Sequence, residues 1–235
     1  MPDHAKTYAA EAERYERLIA REDCQQNILP AIRKICDPSG LGIADLGAGT
    51  GRLICMLAPF ARHIWGFDAS GHMLQMAESR LRAAGLRNWT LGVADHQAIP
   101  LSDASVDLVV GGWALCYASS RDGRDSTQKL DGAFAEIYRV LRPGGTVILL
   151  DTLGTGNEEP APLPKLREYY DYLNRSGFSS EWIRTDYRFE SVEEAVELTR
   201  FFFGEDLAGR LQKEESRILP ECTGVWWKAC PATCK

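Results

Sequence analysis

Apolar positions along residues 8–36 recur at helical spacing among charged neighbours, through Tyr8, Tyr15, Leu18, Ile19, Ile28, Leu29 and Ile32. This predicts two helices, broken near residues 21–23 or at Pro30. The pattern stops at Asp37-Pro38-Ser39-Gly40, a turn signal. Continuous apolar runs then alternate with helical periods. The runs at 42–46, 63–68, 90–94, 106–111 and 146–151 read as strands covered on both faces. Leu53, Ile54 and Leu57, then Met73, Leu74, Ala77, Leu81 and Ala84, then Leu130, Ala133, Phe134 and Ile137 mark the intervening helices. The expected class is α/β, layered around a largely parallel sheet.

Turn residues fall where these elements end. Gly85 follows the last periodic position of its helix, as a C-terminal cap does. Pro143 and Gly144 suit the middle of a type II turn ahead of the fifth strand. Residues 152–164 read as a Pro/Gly-rich linker, followed by a helix carrying Leu166, Tyr169, Tyr170 and Leu173 up to Gly177. The last third departs from alternation: a strand at 181–189, one or two helices at 191–211 and a final strand at 222–230. Ser191 and Glu194 form a capping box ahead of an apolar stripe of Val192, Ala195, Val196, Thr199, Phe202 and Phe203.

Composition narrows the function classes. With 235 residues, 45% of them hydrophobic and 26% charged, the chain can bury a core without disulfide staples. A net charge of -6 gives no global positive field, so no nucleic-acid partner is expected. The acids between Glu181 and Glu197 read as a solvated face. No signal peptide, membrane span or membrane partner is expected, because the N-terminus has no apolar h-region and no apolar run reaches ~18 residues. Cys24, Cys36, Cys55, Cys116, Cys222, Cys230 and Cys234 form an odd set without close pairing, which suits a reducing, cytoplasmic setting. Their spacing is not that of a zinc site, and no metal is expected.

The sharpest local signal is Ala44-Asp45-Leu46-Gly47-Ala48-Gly49-Thr50-Gly51-Arg52-Leu53, a strand, a glycine turn and a helix. Alternate glycines let a ligand approach the backbone where a Cβ would obstruct it. The spacing is G-x-G-x-G, with Arg52 where a nicotinamide site would carry its third glycine, and no Lys-Ser/Thr pair follows as in a phosphate-binding P-loop. Asp68 closes the second strand, where it either accepts two ribose hydroxyls or caps the helix starting near Ser70. Asp95 closes the third strand, as a second ligand acid or as an organiser of its own loop.

These residues carry a family resemblance. Through ADLGAGTG, GFDASGHML, VADHQAIPL, VDLVVGGWAL and LRPGG in that order, residues 40–230 resemble the class I S-adenosylmethionine-dependent methyltransferases. The resemblance implies a Rossmann-like, seven-stranded, mostly parallel sheet of order 3-2-1-4-5-7-6 with its last strand antiparallel. Residues 1–38 would be a helical lid or cap, and residues 39–235 the methyltransferase domain, with a helical insertion at about 190–215 before the last strand. The implied cofactor is S-adenosyl-L-methionine, leaving as S-adenosyl-L-homocysteine. Backbone at Gly47, Ala48 and Gly49 would line its methionyl part, and Asp45 would orient the ammonium. Asp68, with Ala69 beside it, would take the ribose, Met73 would lie on adenine, and Asp95 with His96 would meet the adenine edge. Tyr15 resembles the aromatic residue that closes over the cofactor. The helical insertion departs from the simplest members of the family and leaves the acceptor open.

Methyl transfer from a sulfonium is an in-line displacement by an activated donor, so the protein must chiefly align the reactants and exclude water. The segment after the fourth strand places Trp113, Cys116 and Tyr117 beside the expected methyl. There Trp113 would form a wall and Tyr117 would orient or deprotonate the nucleophile, unless both are packing aromatics. No histidine is assigned to catalysis. Tyr8, Tyr15, Tyr169, Tyr170, Tyr187, Phe201, Phe202 and Phe203 either enclose a small organic acceptor or belong to the core. The rivals are a protein or RNA methyltransferase and a non-catalytic binding protein; oligomeric state stays open.

Overall fold

The computed structural model describes residues 11–116 and 126–231. The chain divides into two compact units. The first comprises Met1–Ile28, Thr152–Ala161 and Trp182–Thr223; the second comprises Leu29–Asp151, Pro162–Glu181 and Gly224–Lys235.

Helix α1 runs Ala12–Ile19 and α2 runs Ile28–Ile35. The break between them falls over residues 20–27. Pro30 does not make it: it sits in the first turn of α2, where the missing N–H has no intrahelical bond to lose. Asp23 starts α2 instead, its carboxylate accepting from the backbone N–H groups of Asn27 at 2.7 Å and Ile28 at 3.2 Å.

The alternating region follows as β1 (Gly42–Leu46), α3 (Arg52–Leu57), β2 (His63–Asp68), α4 (Gly71–Ala83), β3 (Trp89–Val93), β4 (Val106–Gly112), α5 (Ser126–Val140) and β5 (Leu141–Thr155). Every residue of β1 is buried, as a central strand requires. Strand β1 pairs in parallel with β2 and β4, placing Asp45 opposite Gly66 and Val110, and β2 pairs in parallel with β3. After 3-10 helix Pro164–Leu166 come α6 (Arg167–Arg175), β6 (Ser179–Arg184), β7 (Tyr187–Arg188), α7 (Val192–Phe202), α8 (Glu205–Lys213), β8 (Ile218–Leu219) and β9 (Glu221–Ala229). The main sheet has the order β3-β2-β1-β4-β5-β9-β6, with its last strand antiparallel. With β6 and β9 as sixth and seventh strands, this is the expected Rossmann-like order.

Two strands differ from expectation. Strand β5 is longer at both ends than 146–151. Leu141 already pairs with Val106, and Thr146 next pairs with Leu108, so residues 142–145 bulge out of the pairing with β4. Gly144 turns that bulge at φ 80°, and Arg142 anchors it on Asp107 at 2.6 Å. At the other end β5 takes in the first residues expected to be linker.

The expected strand at 181–189 is two strands. Asp186 is buried, and its Oδ1 accepts from Arg184 Nε at 2.8 Å and from the Glu221 backbone N–H at 3.0 Å. A side chain thus takes a donor that a ladder would use, and the chain leaves the sheet. Strand β7 pairs antiparallel with β8 in a separate ribbon.

The insertion is two helices, divided at Gly204 with φ 102°. Ser191 caps α7 by accepting from Glu194 N–H at 3.1 Å, while the Glu194 carboxylate reaches the Glu190 N–H at 2.7 Å. The first unit's core joins Leu18 to Tyr187, Phe189, Ala195, Leu198, Leu211 and Leu219.

Candidate functional site

The site is built in the second unit at the carboxyl ends of β1, β2 and β4, where α/β sheets leave a crevice at the change of strand order. After β1 the chain turns through Gly47, Gly49 and Gly51 at φ 74°, 51° and 80°. The N–H groups of Gly47 and Ala48 both donate to Phe67 O, at 2.8 and 2.9 Å, which folds the turn back over β2. Gly47 has no room for a side chain: an added Cβ would meet the Ala114 Cβ at 2.3 Å. At Gly49 the nearest atom is the Met73 Cε at 3.7 Å, so space lies above that residue.

Asp45 lies beneath this turn, 1% exposed, and neither of its carboxylate oxygens has a hydrogen-bond partner among the described residues. Burial, with Asp68 as a second negative group nearby, pushes its pKa up to about 8. The buried hydroxyl of Thr50 is likewise unpartnered among the described residues. Buried polar groups are normally satisfied, and orphans beside a glycine turn mark a place for a ligand. What Asp45 lacks is a cationic donor, and the α-ammonium of an amino-acid cofactor is one.

Asp68 does not cap the next helix; its carboxylate ties the glycine turn to the residue that does. Its Oδ2 accepts from the Gly49 N–H at 2.9 Å and its Oδ1 from the Ser70 N–H at 2.8 Å. Ser70, rather than Asp68, is the N-cap of α4, accepting from Met73 N–H at 3.3 Å. Each Asp68 oxygen retains acceptor capacity for a ribose hydroxyl.

The structure gathers Gly47, Ala48, Gly49, Asp45, Asp68, Met73 and His96 around this turn. The His96 Cε1 lies 3.7 Å from the place of a Gly47 Cβ. Burial lowers the His96 pKa, against opposite pulls from Asp95 and Asp68, so its ring is held neutral. Ala69 is exposed at the end of β2. Asp95 is exposed and organises its own loop, accepting from Gln97 N–H at 2.8 Å. Tyr15 lies in the first unit, its ring centroid 5.5 Å from that of Phe202. Tyr117 and Tyr8 fall outside the described residues.

Trp113 follows β4 in the left-handed region at φ 51°, and its N–H donates to Leu150 O at 2.7 Å. The Arg52 guanidinium carbon sits 5.0 Å from its ring centroid, a cation–π contact across the glycine turn. One feature escaped the residue pattern. Asp151, a carboxylate 1% exposed, lies next to Leu150 and accepts from the Tyr169 hydroxyl at 2.7 Å. The signal was available: Asp151, like Asp68, is an acid ending an apolar run. The described residues contain no group of three or more His, Cys, Asp or Glu suited to a metal.

Residues 44–149 match the family described as methyltransferase domain. Among curated relatives, the ubiquinone/menaquinone biosynthesis C-methyltransferase UbiE of Rubrivivax gelatinosus is 32% identical over 51% of this chain and 43% of its own. The malonyl-[acyl-carrier protein] O-methyltransferase of Serratia marcescens is 33% identical over 50% of this chain and 40% of its own. The chain thus spans less than half the length of these relatives. Among solved structures, a SAM-dependent methyltransferase from Aquifex aeolicus aligns with a TM-score of 0.58 at 15% identity, over 92% of this chain and 97% of its own. The YcgJ protein of Bacillus subtilis aligns at 0.57 and 17% identity, over 88% and 99%. These two show a shared fold.

Proposed function

We propose that this chain, which through residues 44–149 belongs to the class I S-adenosylmethionine-dependent methyltransferases, transfers a methyl group to a small organic acceptor. The observation that carries the reading is Asp45, a buried carboxyl with both oxygens unpartnered among the described residues, under a glycine turn tied to Asp68. The cofactor supplies a methyl already activated on a sulfonium.

This chain's residues bind and orient. Asp45 receives the ammonium, Gly47, Ala48 and Gly49 bring bare backbone against the methionyl part, and Asp68, with Ala69 beside it, accepts the ribose hydroxyls. Met73 and Val93, the latter left 64% exposed at the carboxyl end of β3, offer apolar surface to adenine, with Asp95 and His96 at its edge. Arg52 holds Trp113 in place beside the end of β4, where the methyl acceptor must arrive. Tyr15 as a closing aromatic and Tyr117 as a group that orients the nucleophile remain part of the proposal.

The names of the relatives join a carbon methylation in quinone biosynthesis and an oxygen methylation of malonyl-[acyl-carrier protein], neither of them on nucleic acid. The acidic chain fits the same direction. No described helix is long and apolar enough to cross a membrane. None of the six described cysteines is in a disulfide, in keeping with a reducing compartment, and we place the protein in the cytoplasm.

The test is mass spectrometry of the protein incubated with S-adenosylmethionine and a panel of phenols, amines, thiols and carboxylic acids. Formation of S-adenosylhomocysteine together with one acceptor a methyl group heavier is expected. Tight cofactor binding without product across the panel would make the chain a binding protein.

A further inference from the structure

Asp151 stands apart from the residues proposed to hold the cofactor, and the strand register fixes its level in the crevice. Gly112 of β4 is opposite Leu150 of β5, and the Trp113 N–H donates to Leu150 O. Asp151 therefore sits at the level of Trp113, beyond the carboxyl end of β4, on the side of the crevice away from β2 and its Asp68. Asp45 is opposite Val110, deeper in the sheet. A donor methyl presented from the glycine turn toward β4 would face this place.

The carboxyl is held in one orientation. Tyr169 of α6, fully buried, donates its hydroxyl to Asp151 Oδ2 at 2.7 Å. The Cys116 thiol also hydrogen-bonds the carboxyl and favours its ionised form. Oδ1 has no hydrogen-bond partner among the described residues, although Asp151 is 1% exposed. A buried acceptor oxygen left open is costly unless a donor arrives in the working complex.

We infer that Asp151 Oδ1 is the acceptor-side contact of this site, taking a hydrogen bond from a neutral O–H or N–H acceptor and then its proton. This rests on the methyltransferase reading and deepens it by naming the acceptor class. In the step, the acceptor's X–H bond breaks and its proton goes to Oδ1. The electron pair on X forms the X–CH3 bond, the C–S bond breaks, and its pair stays on sulfur. Asp151 ends as a carboxylic acid and returns the proton to solvent after the products leave. An acceptor that is itself a carboxylate would meet a like charge here and is disfavoured. Burial raises the Asp151 pKa to about 7, while Cys116 and Tyr169 hold it down, so the group can exchange a proton near neutral pH.

The experiment uses the full chain saturated with S-adenosylhomocysteine, titrated calorimetrically with phenol, benzoate and toluene as probes. Phenol is expected to bind more tightly than either of the others by about tenfold or more, and Asp151→Asn to bring phenol to the level of toluene. Benzoate binding as well as phenol, or an unchanged preference in folded Asp151→Asn, would overturn the inference. So would the absence of phenol binding. Phenol affinity should fall as pH drops through about 7, where Asp151 takes its proton.

Should Asp151→Asn fail to fold, Tyr169→Phe serves. Loss of the Tyr169 donor raises the proton affinity of Asp151, so the midpoint of phenol binding must move to higher pH; an unmoved midpoint contradicts the assignment. The preceding titration with S-adenosylhomocysteine separates the two levels. Its failure removes the cofactor reading, whereas normal cofactor binding without phenol discrimination removes only the Asp151 assignment.

Discussion

The Gly49 N–H donates to Asp68 Oδ2 at 2.9 Å, so the glycine turn after β1 and the acid closing β2 form one hydrogen-bonded unit. The two elements proposed to meet the cofactor are therefore coupled, and a change in either should be felt at both.

Asp68→Ala removes the acceptor for Gly49 and Ser70 as well as the contacts proposed to ribose. Affinity for S-adenosylhomocysteine should fall by roughly 1.5 to 3 kcal/mol for each charged hydrogen bond lost. The melting temperature should also drop, because two backbone donors lose their partner. Calorimetry and thermal unfolding check the pair of effects; wild-type affinity in a folded variant would remove Asp68 from the ribose site.

Two glycines of the turn should fail differently. Gly47→Ala drives a methyl to 2.3 Å from Ala114 Cβ at a positive φ and should destabilise the protein by about 1 to 3 kcal/mol, with binding lost as a consequence. At Gly49 the nearest atom to a new Cβ is 3.7 Å away, so Gly49→Ala should cost the fold about 1 to 2 kcal/mol through its left-handed φ. Its larger effect should be on cofactor affinity. Melting curves beside binding isotherms for both variants distinguish packing from ligand approach.

Asp45 sets a pH dependence whose sign is unusual for an acid. With its folded pKa raised to about 8, the native state holds a proton that the unfolded chain releases near pH 4, so this group lowers stability as pH rises from about 4 to 8. Asp45→Asn should flatten that slope and stabilise the ligand-free protein at pH 8 by on the order of a few kcal/mol. The same substitution should weaken cofactor binding. Urea unfolding at a series of pH values measures the slope, and a variant with the wild-type slope would contradict the buried-acid account.

The central strands were legible because each is a continuous apolar run closed by a turn residue or an acid, whereas their order in the sheet came from the family resemblance. The glycine turn and Asp68 were legible for the same local reason. Other features depended on side chains meeting across the chain. The division of 181–189 follows from Asp186 taking the Glu221 N–H, a contact between residues far apart in sequence. Arg52 over Trp113 and Tyr169 on Asp151 are pairings that periodicity does not encode. Pro30 misled as a helix breaker because its effect depends on its distance from the helix start, which Asp23 sets.

The turn at Gly47–Gly51, with Asp45 and Asp68, is the proposed S-adenosylmethionine site. The direct measurement is isothermal calorimetry of the full chain with S-adenosylhomocysteine and with NAD, each in two buffers of different ionisation enthalpy. Micromolar binding of S-adenosylhomocysteine is expected, on the order of -8 kcal/mol, with a proton released as the ammonium displaces the one on Asp45, and far weaker binding of NAD. Tight NAD binding without binding of S-adenosylhomocysteine would contradict it.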